Sequence, residues 1–308
     1  MILCPVCLSE KKKHRFHVPG ATVSRCLCCS HSYSHDLQSS PMEVYNEGYF
    51  KQDHENWFKY PNYPLFQKIE LMITKKYNKK DISILDVGCG NGDFLKFLIK
   101  KGFNNLTGID FSHNEHPVIK FFQGNVFEIK SLFTQKFDVI VTLATVEHVE
   151  DVRQFVSILC SLLNPGGLVC IMTLDENALI YRLTRMAKAA GISHGVNRLY
   201  DKHHLNHFSQ RSLRNLIQVC GDFEILEHDG INFPVPAIDL PKSILNFLYR
   251  PMIEFFFFVT DLFKRGRFLQ VISFSSCYYR AVHGKNVKKA HFSGTVDQES
   301  SIFSICSR

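Results

Sequence analysis

Residues 84–92 read ILDVGCGNG, a glycine loop set between two segments of different period. Ile82, Ile84, Leu85 and Val87 form a short apolar, β-branched-rich run, and Phe94, Leu95, Phe97, Leu98 and Ile99 follow at helical spacing. The loop therefore joins a buried strand to a helix, the first turn of a βαβ unit. Glycines there remove the Cβ atoms that would hold a ligand away from the backbone, so the turn suits a dinucleotide or another adenosine ligand.

Strands and helices keep alternating from residue 81 to about 231. ISILDV, LTGID, IKFFQG, FDVIVT and LVCIMT read as five short strands, with helices after the first and at 151–163. Such alternation gives a parallel sheet covered by helices. Beyond a polar stretch at 193–212, FEILEHDGI and FLQVISFSSCYY read as two more strands, separated by an apolar insertion at 232–267. The chain of 308 residues thus divides into a Cys- and His-rich module at 1–35, an aromatic helical lead-in at 36–80 that carries Tyr45, Tyr49, Phe50, Trp57 and Phe58, an α/β domain at 81–282, and a polar, loose tail at 283–308.

A dinucleotide fingerprint requires glycine at the third position of GxGxxG, where this chain has Asp93. The loop reads instead DxGxGxG, through Asp86, Gly88, Gly90 and Gly92. This resembles the first motif of the class I S-adenosylmethionine (SAM)-dependent methyltransferases. Asp110 ends LTGID, where that family places an acidic residue to accept from both ribose hydroxyls, a task suited to an acceptor-only carboxylate. LLNPGGLVCIMT at 162–173 resembles the family's turn and fifth strand, and VTLATVEHVED resembles the segment after the fourth strand in its ubiquinone-type and sugar-type branches. Where the family often has an acidic residue near the adenine, this chain offers Asn125, whose side-chain carbonyl could accept from the adenine amine. The resemblance implies a Rossmann-like α/β fold with a seven-stranded sheet whose last strand is antiparallel. It also implies methyl transfer from SAM, a reaction that needs chiefly positioning and exclusion of water.

CPVC at 4–7 and CLCC at 26–29 place Cys4, Cys7, Cys26 and Cys29 in the spacing of a zinc ribbon. Four thiolates fill a tetrahedral zinc, which makes the ion structural. Cys28 is left over, though it could replace a neighbour. The KKKHR run at 11–15 lies between the two cysteine pairs, where it could touch phosphate, although a charge run on a small exposed module is usually a solvated loop.

Three histidines are candidates for acid–base work. His148 follows the fourth strand at the edge where α/β sheets bind ligands. His204 and His207 lie in YDKHHLNHFS, which resembles a segment covering the active site in this methyltransferase branch, with Ser209 capping a helix that starts near Arg211.

The formal charge of +7 is weaker than the dense basic surface of a dedicated nucleic-acid binder, and no NPPY-like sequence follows the fourth strand. Nucleic acid is therefore disfavoured, and zinc-ribbon RNA base methylation stands second to a small-molecule acceptor. CxxC pairs followed by EGYF at 47–50 resemble methyltransferases of glycan and secondary-metabolite pathways, so a sugar or its nucleotide- or lipid-linked form is the expected acceptor. A non-catalytic SAM-fold or zinc-ribbon binding protein is the reading from another class. Eleven cysteines with no apolar leader in MILCPVCLSEKKKHR indicate a reducing cytoplasm, and no run reaches the roughly 18 apolar residues needed to span a bilayer. The insertion at 232–267 is expected in the core or at a homo-oligomer interface, with contact to a membrane surface or a lipid-linked acceptor as the second role.

Overall fold

The computed structural model describes residues 2–38, 56, 59–238 and 246–276. The aromatics Tyr45, Tyr49, Phe50, Trp57 and Phe58, the EGYF segment and the tail at 283–308 lie outside the described residues.

Two sheets organise the chain. In the larger, β4 (Ile84–Val87), β5 (Leu106–Asp110), β6 (Ile119–Gln123), β7 (Phe137–Leu143) and β8 (Leu163–Leu174) run parallel, and β10 (Phe223–Ile231) and β11 (Leu269–Ser276) complete seven strands in the order β10-β11-β8-β7-β4-β5-β6. The last strand, β11, is antiparallel to both of its neighbours, β10 and β8. This is the expected Rossmann-like class I methyltransferase sheet. All four residues of β4 are buried, as a strand covered on both faces requires. β8 begins at Leu163 rather than Leu168, because LNPGG already runs beside the start of β7, with Phe137 opposite Leu163.

Helices α1 (Tyr63–Lys76), α2 (Asp93–Lys100), α3 (Val126–Ile129), α4 (Val152–Ser161), α5 (Leu179–Ala189), α6 (His194–Leu199), α7 (Gln210–Cys220) and α8 (Asn246–Leu262) accompany the strands. Their starts follow from local chemistry. Asp151 accepts from the Gln154 N–H at the head of α4, and Ser209 and Ser212 form a capping box at the head of α7. The chain leaves β4 toward β5 and β6, then returns to the other side of β4 as β7. The loop after β4 therefore lies at the switch point of the sheet, where α/β proteins bind ligands.

The smaller sheet joins β1 (Lys12–Val18), β2 (Ala21–Cys26) and β3 (Ser32–His35) to the two-residue strand β9 (Asn206–His207). The cysteine module is thus stitched to the larger domain by a strand from the polar stretch near residue 206. Glu176, buried just beyond β8, reinforces the seam. Its carboxylate pairs with Arg15 and accepts from Ser32 Oγ at 2.9 Å and Tyr200 OH at 2.8 Å.

Within 232–267, the described residues form a short turn and α8. Ile253 and Phe257 of α8 are buried, whereas Phe255, Phe258 and Leu262 face outward. Among the described residues no helix is long and apolar enough to cross a membrane.

Candidate active site

The glycine loop adopts a conformation that side chains would not permit. Gly88 has φ +77°, and a Cβ there would lie 2.2 Å from Thr145 Oγ1. Gly92 has φ +73° and would place a Cβ 2.7 Å from the Phe121 ring. The loop is also bonded to its neighbours. The Gly88 N–H donates to the Ile109 carbonyl at 2.8 Å, and the Gly90 N–H donates to Asp110 Oδ2 at 2.8 Å. The other oxygen of Asp110 accepts from the Ser112 N–H at 2.9 Å. Asp110 is therefore held at the tip of β5, beside the loop, by backbone donors. The Ser112 hydroxyl also donates to Oδ1, so Oδ2 is the oxygen that keeps a further lone pair for a ligand hydroxyl.

Asp86, on β4 two residues before Gly88, is buried. Its Oδ1 has no hydrogen-bond partner among the described residues. Burial, and after it the nearby charge of Asp110, raises its carboxyl to about 8. An unpartnered buried carboxylate oxygen at the base of a glycine cradle is a fit for a ligand carrying an ammonium group, and the methionine part of SAM carries one. Asn125 also lines this space, but its Oδ1 accepts from the Phe127 N–H at 3.0 Å as the cap of α3. The oxygen expected to meet the adenine amine is therefore already engaged on the backbone.

Past β7, the chain turns at Thr145–His148. Thr145 Oγ1 donates to the carbonyls of Val87 and Leu143, tying this turn to the end of β4. His148 Nδ1 lies 2.9 Å from the His203 carbonyl. A carbonyl can only accept, so Nδ1 carries the proton and the lone pair of the neutral ring is on Nε2. The His204 ring lies against it, with centroids 4.9 Å apart. Glu147 is buried and accepts from Thr173 Oγ1 at 2.9 Å, and burial raises its carboxyl to about 7.

These residues line one cavity of about 1020 Å³, which contains the glycine loop, Asp86, Asp110, Asn125, Glu147, His148 and His204. Its far wall is apolar. Phe233, Ile253, Phe256 and Phe257 come from the insertion, Phe268 directly precedes β11, and Ile180 and Leu183 come from α5. The insertion, expected in the core or at an interface, supplies part of the cavity wall. His207 does not line this cavity. It lies 2.9 Å from Ser34 Oγ through Nε2, packs on the Tyr200 ring, and is held well below the ordinary histidine range by burial. Its partners make it part of the seam with β3. Glu147 was not singled out from sequence. The only signal was a carboxylate next to His148, since burial beside Thr173 depends on the distant strand β8.

The four cysteines converge as the CxxC spacing implies. The Sγ atoms of Cys4, Cys7, Cys26 and Cys29 all lie within 4.8 Å of one another, with Cys4–Cys29 and Cys7–Cys26 at 3.5 Å. Such separations fit four sulfurs about one ion at roughly 2.3 Å. Leu8 and Ser30, each directly after the second cysteine of its pair, have φ of 58° and 63°. The two turns therefore share one knuckle geometry, although a non-glycine residue in that region costs ~1–2 kcal/mol. Cys28 stands outside the cluster, its Sγ 3.1 Å from Ser9 Oγ.

Comparison with known proteins places these features in context. The sequence profile described as a methyltransferase domain matches residues 57–228, more than half of the chain. Ubiquinone biosynthesis O-methyltransferase of Rickettsia canadensis is 33% identical over 123 residues, covering 36% of this chain and 51% of that protein. The Rickettsia typhi protein of the same name is 35% identical over 127 residues, with 37% and 51% covered. The chain spans about half the length of these two curated relatives. Among solved structures, the plantazolicin methyltransferase BpumL, in complex with a desmethyl analogue and SAH, aligns with a TM-score of 0.46 at 17% identity over 68% of this chain and 83% of its own. A SAM-dependent methyltransferase from Archaeoglobus fulgidus aligns with a TM-score of 0.45 at 17% identity over 74% and 99%.

Proposed function

The chain belongs to the methyltransferase domain family, and on that premise we propose that it transfers a methyl group from SAM to a hydroxyl of a small, partly apolar acceptor. The observation that carries this reading is a single cavity with two chemically different ends. One end is the glycine cradle with Asp86 and Asp110, and the other is an apolar wall reached past Glu147 and His148. When bound, SAM supplies a methyl carbon on a sulfonium that is already a good leaving group. Asp110 would take the ribose hydroxyls, Asp86 would meet the ammonium, and Gly88–Gly90 would allow the donor close to the backbone. His148 stands beyond the cradle, its ring oriented by the His203 carbonyl, and Nε2 would take the acceptor hydroxyl proton as the methyl carbon leaves sulfur and bonds to the acceptor oxygen. The apolar wall excludes water and holds the acceptor at attack distance.

The relatives named for ubiquinone biosynthesis O-methylation support oxygen as the atom methylated. Phe233, Phe256 and Phe257 support an acceptor with an apolar body, so a sugar acceptor fits best in a form linked to an apolar or lipid group. The four-cysteine cluster holds one structural zinc in this reading. All four ligand positions are sulfur, so the ion's role is to fix the module against β9 rather than to act on the acceptor. The test is methyl transfer from labelled SAM into a fractionated cell extract. Label in hydroxylated small molecules or lipid-linked glycans supports the proposal, and label confined to RNA overturns it.

A further inference from the structure

Outside the methyl-donor cavity, the cysteine module and α5 enclose a second groove of about 670 Å³. Its lining is unusually one-sided in charge. Lys13, His14, Arg15 and Arg25 come from β1 and β2, Arg182 and Arg185 come from α5, and among the described residues no carboxylate lines it. Helix geometry explains how α5 serves two spaces. Residues 182, 185, 186 and 189 form one stripe that faces this groove, whereas 180, 183, 184 and 187 face the donor cavity.

The cations are arranged against their own electrostatics. Lys13 stands directly opposite Arg25 in the β1–β2 pair, where like charges destabilise an antiparallel ladder. Arg182 and Arg185 are three residues apart on α5, where like charges also repel. Two of the guanidiniums are anchored from behind. Arg15 pairs with the Glu176 carboxylate, and Arg185 donates to the Glu176 carbonyl and to Tyr200 OH. Lys13, Arg25 and Arg182 form no ion pair with a carboxylate among the described residues. A fold that converges five permanent cations on one groove is relieved by an anion seated there, and guanidinium forks match phosphate oxygens in pairs.

The groove has an apolar side as well. Leu27 is 63% exposed and Met186 is 68% exposed, and both line it together with Phe16. Phe16 is itself flanked by Arg15 and Lys188, each 5.6 Å from its ring centroid. Phosphate-seeking forks beside a flat apolar floor, in a volume that suits a single small ligand, define the ligand class. We infer that this groove is a binding site for a nucleotide-sized diphosphate, with its phosphates on Arg25, Arg182 and Lys13 and its flat group over Leu27 and Met186.

Calorimetric titration of the full chain with uridine diphosphate and with pyrophosphate tests the site. One saturable site per chain is expected for both probes, tighter for uridine diphosphate because only it reaches the apolar floor. The double variant Arg25→Gln/Arg182→Gln should weaken uridine diphosphate binding at least ~10-fold, as loss of charge-assisted hydrogen bonds implies. Its SAM affinity should be unchanged, and Arg25→Lys/Arg182→Lys should recover part of the loss. Asp110→Ala should show the reverse pattern, which separates failure of this site from failure of the methyl-donor assignment. Absence of saturable binding by either probe, or binding indifferent to the double variant, overturns the inference. Affinity for single-stranded RNA that rises steadily from a dinucleotide to a 20-mer also overturns it, because the groove would then be part of a nucleic-acid surface.

Discussion

The carbonyl of His203 fixes the tautomer of His148, receiving the Nδ1 proton at 2.9 Å and leaving Nε2 as the basic nitrogen. A histidine held in this way beside the donor cradle is positioned to take a hydroxyl proton. His148→Ala is therefore expected to lower turnover roughly 10²- to 10⁴-fold while leaving SAM affinity nearly intact. Steady-state kinetics at saturating SAM checks this across pH 6–9. Turnover within a few-fold of the parent would make His148 structural.

A second prediction concerns pH and stability. Asp86 and Glu147 are buried carboxyls raised to about 8 and about 7, both by desolvation first. Between their ordinary values and these raised ones, the folded chain binds protons that the unfolded chain has released. Stability is then fully present below about pH 4 as far as these two groups are concerned, and it falls as pH rises toward 8. Asp86→Asn should flatten that fall by an amount on the order of a few kcal/mol. Urea unfolding at pH 5 and pH 8.5, without SAM, measures it. An equally steep fall in the variant would remove Asp86 as its source.

Much of this arrangement was legible in the sequence because it is local. The period change around Gly88–Gly92 located the cradle, and the alternation after it gave the strands of the larger sheet, including β10 and β11. The CxxC spacing located the sulfur cluster, and Ser209 marked the start of α7. What escaped depends on distant strands. Glu147 owes its burial to Thr173 on β8, His207 owes its partner to Ser34 on β3, and Glu176 joins Arg15 to Tyr200 across the seam. The insertion's period marks α8 as a helix with an apolar face but does not say which space that face encloses.

The seam around Glu176 yields a third prediction. Its carboxylate serves Arg15, Ser32 and Tyr200 together, in a buried setting. Glu176→Ala leaves the Arg15 charge and two hydroxyls without their acceptor, and is expected to cost roughly 3–5 kcal/mol. Chemical denaturation gives the figure. A loss under about 1 kcal/mol, the range of an exposed pair, would show that the seam does not hold the module.

Metal content provides a fourth. Four sulfurs in paired knuckles should retain about one zinc per chain through chelator-free purification. Cys4→Ser with Cys7→Ser should lose the metal and loosen residues 1–35 while the seven-stranded sheet stays folded. Because β3 pairs with β9, next to His204, turnover should fall with the metal even where SAM still binds. Elemental analysis with hydrogen exchange reads both effects, and a metal content near zero in the parent protein would refute the zinc assignment.

The most direct measurement is calorimetric titration of the purified chain with SAM, in parallel with NADH and with the Asp110→Ala variant. Asp110 already orders the loop through the Gly90 N–H and keeps a further lone pair on Oδ2 for the ribose. Saturable binding of one SAM per chain is expected, weakened in the variant by roughly 1.5–3 kcal/mol, the worth of hydrogen bonds to a charged group. Unchanged SAM affinity in folded Asp110→Ala, or tighter binding of NADH than of SAM by the parent chain, would contradict it.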